Sequence, residues 1–97
     1  MHDVFARDTP AADARIIAAT QKPLNGSVFG AKVTSAAWKT KPSWFIIGTE
    51  DRAINPDLLR FYAKRMNAKT TEIKGSSHVP FLSHPKEVVK VIEAASK

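Results

Sequence analysis

Between Pro42 and Thr49 the chain changes from polar punctuation to an unbroken apolar run, Trp44-Phe45-Ile46-Ile47-Gly48. A short aromatic and β-branched run bounded by turn residues predicts a strand covered on both faces. Asn55-Pro56-Asp57 then predicts a helix start, with Asn55 as N-cap and Pro56 at the first helical position. Leu58, Leu59, Tyr62, Ala63 and Met66 recur at helical spacing and give one apolar face, with Arg60, Lys64 and Arg65 pointing away. This helix is expected to end near Asn67. Thr70-Thr71-Glu72-Ile73 predicts a second, more polar strand, broken by Gly75-Ser76-Ser77. From Pro85 the positions Val88, Val89, Ile92 and Ala95 form the stripe of a last helix, with Lys86, Glu87, Lys90 and Glu93 outside.

Upstream, Thr9-Pro10-Ala11-Ala12-Asp13 predicts a helix over about 10–20, with Thr9 as N-cap. Its apolar positions, Ala12, Ile16 and Ala19 beside Ala11, Ala14 and Ala18, make a shallow stripe. From Gln21 to Pro42, two prolines, two glycines and no sustained period predict loop, with one short helical turn around Ser27 to Phe29. The order helix, loop, strand, helix, strand, loop, helix defines an α/β fold: two parallel strands joined by a right-handed crossover, with flanking helices.

That order has a chemical consequence. In open α/β sheets, ligand sites gather beyond the carboxyl ends of the strands, so residues 49–52 and 75–78 are expected side by side at one rim. Asp51 and His78 become neighbours in space. Taken singly, each has a plain alternative: Asp51 as the residue that orients the turn before Asn55, His78 as a surface loop residue. Together, after consecutive parallel strands, they predict an acid–base pair.

Composition narrows the class without naming it. With 97 residues there is room for one small domain with a modest core. Hydrophobic residues at 43% and charged residues at 25% fit an ordinary folded chain. The absence of cysteine excludes a disulfide scaffold and a thiolate metal site. Residues 1–20 carry Asp3, Asp8 and Asp13 and lack an apolar signal region, and no run approaches the roughly 20 apolar residues that span a bilayer. A cytoplasmic chain with no membrane partner is the expectation. The formal charge of +6 raises a nucleic-acid partner, but ten lysines and five arginines lie scattered from Arg7 to Lys97 with acids between them. A nucleic-acid footprint needs clustering on one face, so none is expected.

The segments PSWFIIGTEDRAINP and EIKGSSHVPFLSHPKEVVKVIEAA, in this order and at this spacing, resemble the C-terminal part of the α/β-hydrolase superfamily, among its small esterase-like and haloperoxidase-like members. The similarity covers roughly residues 36–96. Residues from about 3 to 24, with Phe5, Asp8 and Thr20-Gln21-Lys22-Pro23-Leu24, resemble part of the cap region of that subgroup. The resemblance implies a division into a cap-like helix and return loop over 1–42 and the C-terminal βαβα part of the core over 43–97. It implies that Gly48-Thr49-Glu50-Asp51 matches the turn bearing the acid of a Ser-His-Asp triad, and Gly75-Ser76-Ser77-His78 the loop bearing its histidine. Asp51 would then orient the imidazole and His78 would act as base. Glu50 lies one residue off the motif and is expected to point elsewhere. His84, in Ser83-His84-Pro85, is expected to serve structure, with Ser83 or His84 capping the last helix; His2 has no role assigned. Core packing is expected of Trp44, while Trp38 stays open between core and pocket.

The nucleophile is what this chain lacks. Chain order in the family is serine, acid, histidine, with the serine in a Gly-x-Ser-x-Gly elbow. No such elbow occurs here: Gly26-Ser27-Val28-Phe29-Gly30 has its serine in the wrong place, and Gly75-Ser76-Ser77-His78-Val79 lacks the second glycine. The resemblance therefore implies a C-terminal, truncated portion of a hydrolase fold, inactive alone. Completed by an N-terminal half, it would hydrolyse a small-molecule ester or related acyl substrate, with neither metal nor organic cofactor. Two strands leave a sheet edge open, so either that missing half or self-association is expected to complete the fold. A second class stays open beside this one, a non-catalytic α/β interaction domain working as a homo-oligomer.

Overall fold

The computed structural model describes all 97 residues, as α1 (Ala11–Ala19), 3-10 turns at Gly26–Gly30 and Ala37–Lys39, β1 (Trp44–Gly48), α2 (Pro56–Arg65), β2 (Lys69–Ile73), a one-turn α3 (Pro80–Ser83) and α4 (Pro85–Ala95). β1 and β2 pair in parallel, with Trp44 opposite Lys69 and Gly48 opposite Ile73. Alternate residues of β1 face opposite sides. Phe45 shares a groove with Tyr62 of α2 and Met66 at its C-cap, and Trp44 shares another with Val91 and Ala94 of α4. The sheet thus separates α2 from α4, in three thin layers.

Local chemistry sets the ends of α2. Asn55 Oδ1 accepts the Asp57 amide at 2.9 Å, Pro56 supplies the pre-set first turn, and Lys64 and Arg65 stand in the last turn. Asn67 then takes a left-handed conformation at φ 51°, with the Asn67 amide on Lys64 O at 3.0 Å and the Ala68 amide on Ala63 O at 2.9 Å. These two bonds form a Schellman cap, with asparagine in the place glycine usually holds. They turn the chain straight into β2.

Several sequence expectations are corrected. Thr9 does not cap α1: its hydroxyl turns back to donate to Ala6 O at 2.7 Å, and Pro10 takes the N-cap position without a side-chain bond. Of the expected α1 stripe only Ala14 is buried; Ile17, outside the stripe, is half-buried and Ile16 is exposed. β1 is not covered on both faces along its length: Ile47 and Gly48 are buried, but Trp44, Phe45 and Ile46 only half so, because a single strand and two helices flank them. Arg60 does not point away; it reaches across to Glu72 of β2 at 2.6 Å while also binding Asp57 at 2.7 Å. Hydrogen bonds from Arg60 hold the Glu72 carboxyl below its ordinary range, and those to Glu72 and then Asp57 raise the guanidinium. The face that α4 turns inward carries Val88 and Val91, leaving Val89, Ile92 and Ala95 exposed. The turn at Ala37–Lys39 and the helix α3 lie where loop was expected.

The interior is small. Ala6, Ala14, Ile47, Ala63, Ile73 and Val79 are its buried apolar residues, while Phe29, Val33, Phe61, Phe81 and Ile92 stand exposed. No helix is long and apolar enough to cross a membrane.

Candidate active site

Both strands end at the same level, and the loops that leave them are bonded to each other. The Thr49 amide donates to Ile73 O at 3.2 Å and the Glu50 amide to Ser76 O at 3.0 Å. From the other side the Gly75 amide donates to Thr49 Oγ1 at 2.8 Å. Gly75 itself sits at φ +80°, a conformation in which a side chain is strained. At Gly48 the requirement is space: a Cβ there would collide with the Ser77 carbonyl oxygen and stand 2.6 Å from that of Ser76. Glycine lets the histidine loop lie directly on the end of β1.

Asp51 and His78 meet on this ledge. His78 Nδ1 lies 2.8 Å from Asp51 Oδ2. The other carboxylate oxygen, Oδ1, accepts the amides of Ala53 at 2.8 Å and Ile54 at 2.9 Å. The backbone thereby fixes the carboxylate, and the plain alternative for Asp51, orienting the turn before Asn55, holds at the same time through its second oxygen. The Asp51 side chain is 3% exposed and that of His78 30%. A carboxylate can only accept, so Nδ1 must carry the proton. In the neutral ring this leaves Nε2 as the free basic nitrogen.

Ser76 and Ser77 are fully buried beneath the histidine. The Ser76 hydroxyl donates to Ser77 O at 3.1 Å, and Ser77 Oγ accepts the Val79 amide at 3.5 Å. Glu50 points elsewhere as expected, toward Arg7 at 3.6 Å.

A second polar cluster lies beside the first and was not foreseen. Ser83 Oγ donates to Asp8 Oδ2 at 2.6 Å and lies 2.9 Å from His84 Nδ1, which is 3.5 Å from the same Asp8 oxygen. Neither Ser83 nor His84 caps α4 with its side chain, in correction of that expectation. Burial pushes the Asp8 carboxyl up, but hydrogen bonding from the Ser77 and Ser83 hydroxyls outweighs it and leaves the group below the ordinary carboxylate range. The Ser83 bond is the one with full geometry, since Asp8 Oδ1 is buried without a partner. Serine, histidine and aspartate are all present, yet the serine proton is committed to the carboxylate and the imidazole meets Oγ through Nδ1. This set is wired to hold a segment in place. A signal for it existed in the sequence only as two polar residues 75 positions apart.

Phe5 completes the surroundings of His78, with ring centroids 5.2 Å apart and planes at 47°. The two largest concavities lie elsewhere, while a smaller one at the rim is lined by Arg7, Asp8, Glu50 and Gly75. One of about 380 Å³ is lined by Trp44, Lys69 and α4 residues, one of about 370 Å³ by Trp38, Phe45, Tyr62, Arg65 and Met66, and neither includes Asp51 or His78. Trp38 therefore belongs to a surface groove, with Arg65 5.8 Å above its ring, and half-buried Trp44 carries Lys69 at 5.2 Å. No group of three or more acidic or histidine side chains gathers as metal ligands.

Two parallel strands whose exits bring an acid and a histidine together form the kind of rim at which open α/β sheets place their sites. A model of the alpha/beta hydrolase family matches residues 1–91, and the chain belongs to that family. Comparison with curated proteins and with solved structures returns no match.

Proposed function

We propose that this chain provides the acid and the base of a Ser-His-Asp triad, with Asp51 orienting His78, for hydrolysis of a small ester by a covalent serine mechanism. The nucleophile and the oxyanion donors come from the N-terminal half of an α/β-hydrolase core, continuous with this chain or separate from it. One observation carries the reading: the 2.8 Å bond between His78 Nδ1 and a carboxylate whose other oxygen is held by two backbone amides. It is supported by family membership over residues 1–91.

In this mechanism Nε2 of His78 takes the serine proton as the serine oxygen attacks the ester carbonyl. Asp51 holds the tautomer and stabilises the imidazolium so formed. The same nitrogen returns the proton to the departing alcohol. A water, deprotonated in turn by His78, then hydrolyses the acyl-enzyme and releases the acid. Without nucleophile and oxyanion donors most of the rate is lost, so the chain by itself is inactive. Residues 1–42 form the cap-like part of the chain, and within it Phe5, Arg7 and Asp8 reach the rim.

Mixing the chain with an inactive N-terminal hydrolase half that carries a serine elbow tests this. Recovery of p-nitrophenyl ester hydrolysis is expected, and Asp51→Asn should lower the recovered kcat by roughly 10³- to 10⁴-fold through the wrong tautomer. A complex that forms and stays inactive would refute the assignment.

A second reading, a homo-oligomeric interaction domain, is favoured by a sheet of only two strands and by the exposed Phe61, Phe81, Val89 and Ile92. Sedimentation at equilibrium separates the two: a stable dimer without the hydrolase half supports it, and a well-folded monomer counts against it.

A further inference from the structure

A single hydrogen bond does not fix an imidazole. With Nδ1 tied to Asp51, the ring of His78 can still pivot about that bond and swing Nε2 away from any partner. Something must hold the ring plane, and the contact in position to do so is the Phe5 ring, 5.2 Å away and inclined at 47°.

Phe5 belongs to residues 1–10, which contain no helix or strand but are closed on themselves. The Phe5 amide donates to Met1 O at 2.9 Å, and the Thr9 hydroxyl donates to Ala6 O at 2.7 Å. His2 Nε2 lies 2.9 Å from Thr9 O, and Ala6 is fully buried. These internal bonds set the shape of the coil and leave its placement on the rim to outside contacts. Besides Phe5, two polar pairs stand within bonding distance, and the Ser77 hydroxyl and amide also act on Asp8. Arg7 meets Glu50 at 3.6 Å with both side chains solvated, an interaction weakened by salt and worth little. Asp8 meets Ser83 at 2.6 Å in a part-buried position, a short charge-assisted bond of the stronger kind. Ser83 makes the one bond of full geometry to this carboxylate, whose Oδ1 has no partner, with His84 at 3.5 Å and the Ser77 hydroxyl and amide, which also lower the carboxyl, beside it.

We infer that Asp8 and Ser83 are positioning residues for His78: their bond pins the N-terminal coil so that the Phe5 ring fixes the imidazole plane while Asp51 fixes its tautomer. This rests on the reading of His78 as general base. It adds to that reading a part for the N-terminal segment that acts through Phe5.

Proton NMR of the full chain tests it without any assay of activity. In the parent protein the carbon-bound ring protons of His78 should be displaced by the ring current of Phe5. Phe5→Leu keeps the apolar filling and should abolish that displacement. Asp8→Ala and Ser83→Ala should each remove at least half of it, Ser83→Thr should retain it, and Arg7→Ala should leave most of it intact. The amide signals of Ile47 and Ile73, in the strands, report whether the fold persists. If Asp8→Ala unfolds the chain, Ser83→Ala, which keeps the carboxylate, decides. Unmoved His78 resonances in Ser83→Ala beside a clear change in Phe5→Leu would overturn the role of Asp8 and Ser83, and no change in Phe5→Leu would overturn the whole inference. Failed complementation with the resonances behaving as expected would instead refute the hydrolase reading alone.

Discussion

The rim and the stretch from Thr20 to Ser35 are opposite in construction. Seven of the eleven buried residues lie at the ends of the two strands and in the loop after β2: Ile47, Gly48, Asp51, Ile73, Ser76, Ser77 and Val79. Every residue from Thr20 to Ser35 is exposed, including Leu24, Val28, Phe29 and Val33. In most domains the buried apolar side chains form one contiguous core. Here four of the seven are serine, aspartate or glycine, and close packing coincides with the candidate site. The order of this molecule is concentrated where Asp51 meets His78.

The sharpest way to break that contrast is Gly48→Ala. The added methyl must displace the carbonyls of Ser76 and Ser77, and a loss of about 3 kcal/mol is expected from urea unfolding. A near-neutral result would mean that the histidine loop yields easily. Next comes Asp51→Ala, which strips the acceptor from His78 and from the amides of Ala53 and Ile54. About 2 kcal/mol should be lost in the same measurement, and the His78 signals should broaden or shift.

A smaller effect concerns acid. The Asp8 carboxyl is lowered in the folded state, so its contribution is fully present above the ordinary carboxylate value and fades as pH falls through the lowered one. Below about pH 4 the parent should therefore lose stability more steeply than Asp8→Asn in a pH series of thermal unfolding. Equal slopes would show that the coil is not anchored by this charge. The smallest change is expected of Phe29→Ser in the exposed stretch, within about 0.5 kcal/mol of the parent. A large loss there would reveal that this stretch packs against a second molecule in solution, and would sharpen the comparison into one between two interfaces.

What the sequence conveyed and what it concealed follow the same division between near and far. Asn55 and Pro56 announce α2 because a cap acts within three residues, and Gly48 and Asp51 announce the ledge because the turn is local. Thr9 misleads by the same logic: a hydroxyl before a proline has the form of a cap, yet a rival acceptor three residues back, Ala6 O, takes its proton. Ser83 likewise stands where a cap belongs, and its partner is Asp8, at the other end of the chain. The α4 stripe illustrates a third case. Val88, Val89, Ile92 and Ala95 satisfy helical periodicity, but which apolar face turns inward depends on the strand available to cover it. Trp44 and its neighbours in the sheet meet Val91 and Ala94, and Val88 is half-buried with Val91.

The pairing of Gly48 with Ile73 fixes more than the sheet. One residue inserted into β1 or deleted from β2 would slide the two exits past each other by about 3.3 Å, more than the whole length of the bond between carboxylate and imidazole. Such a slip would also invert which side chains meet α2 and which meet α4. The two five-residue strands work as a ruler, and changes in length are tolerable only outside them, between Asp51 and the start of β2 or beyond Ser83.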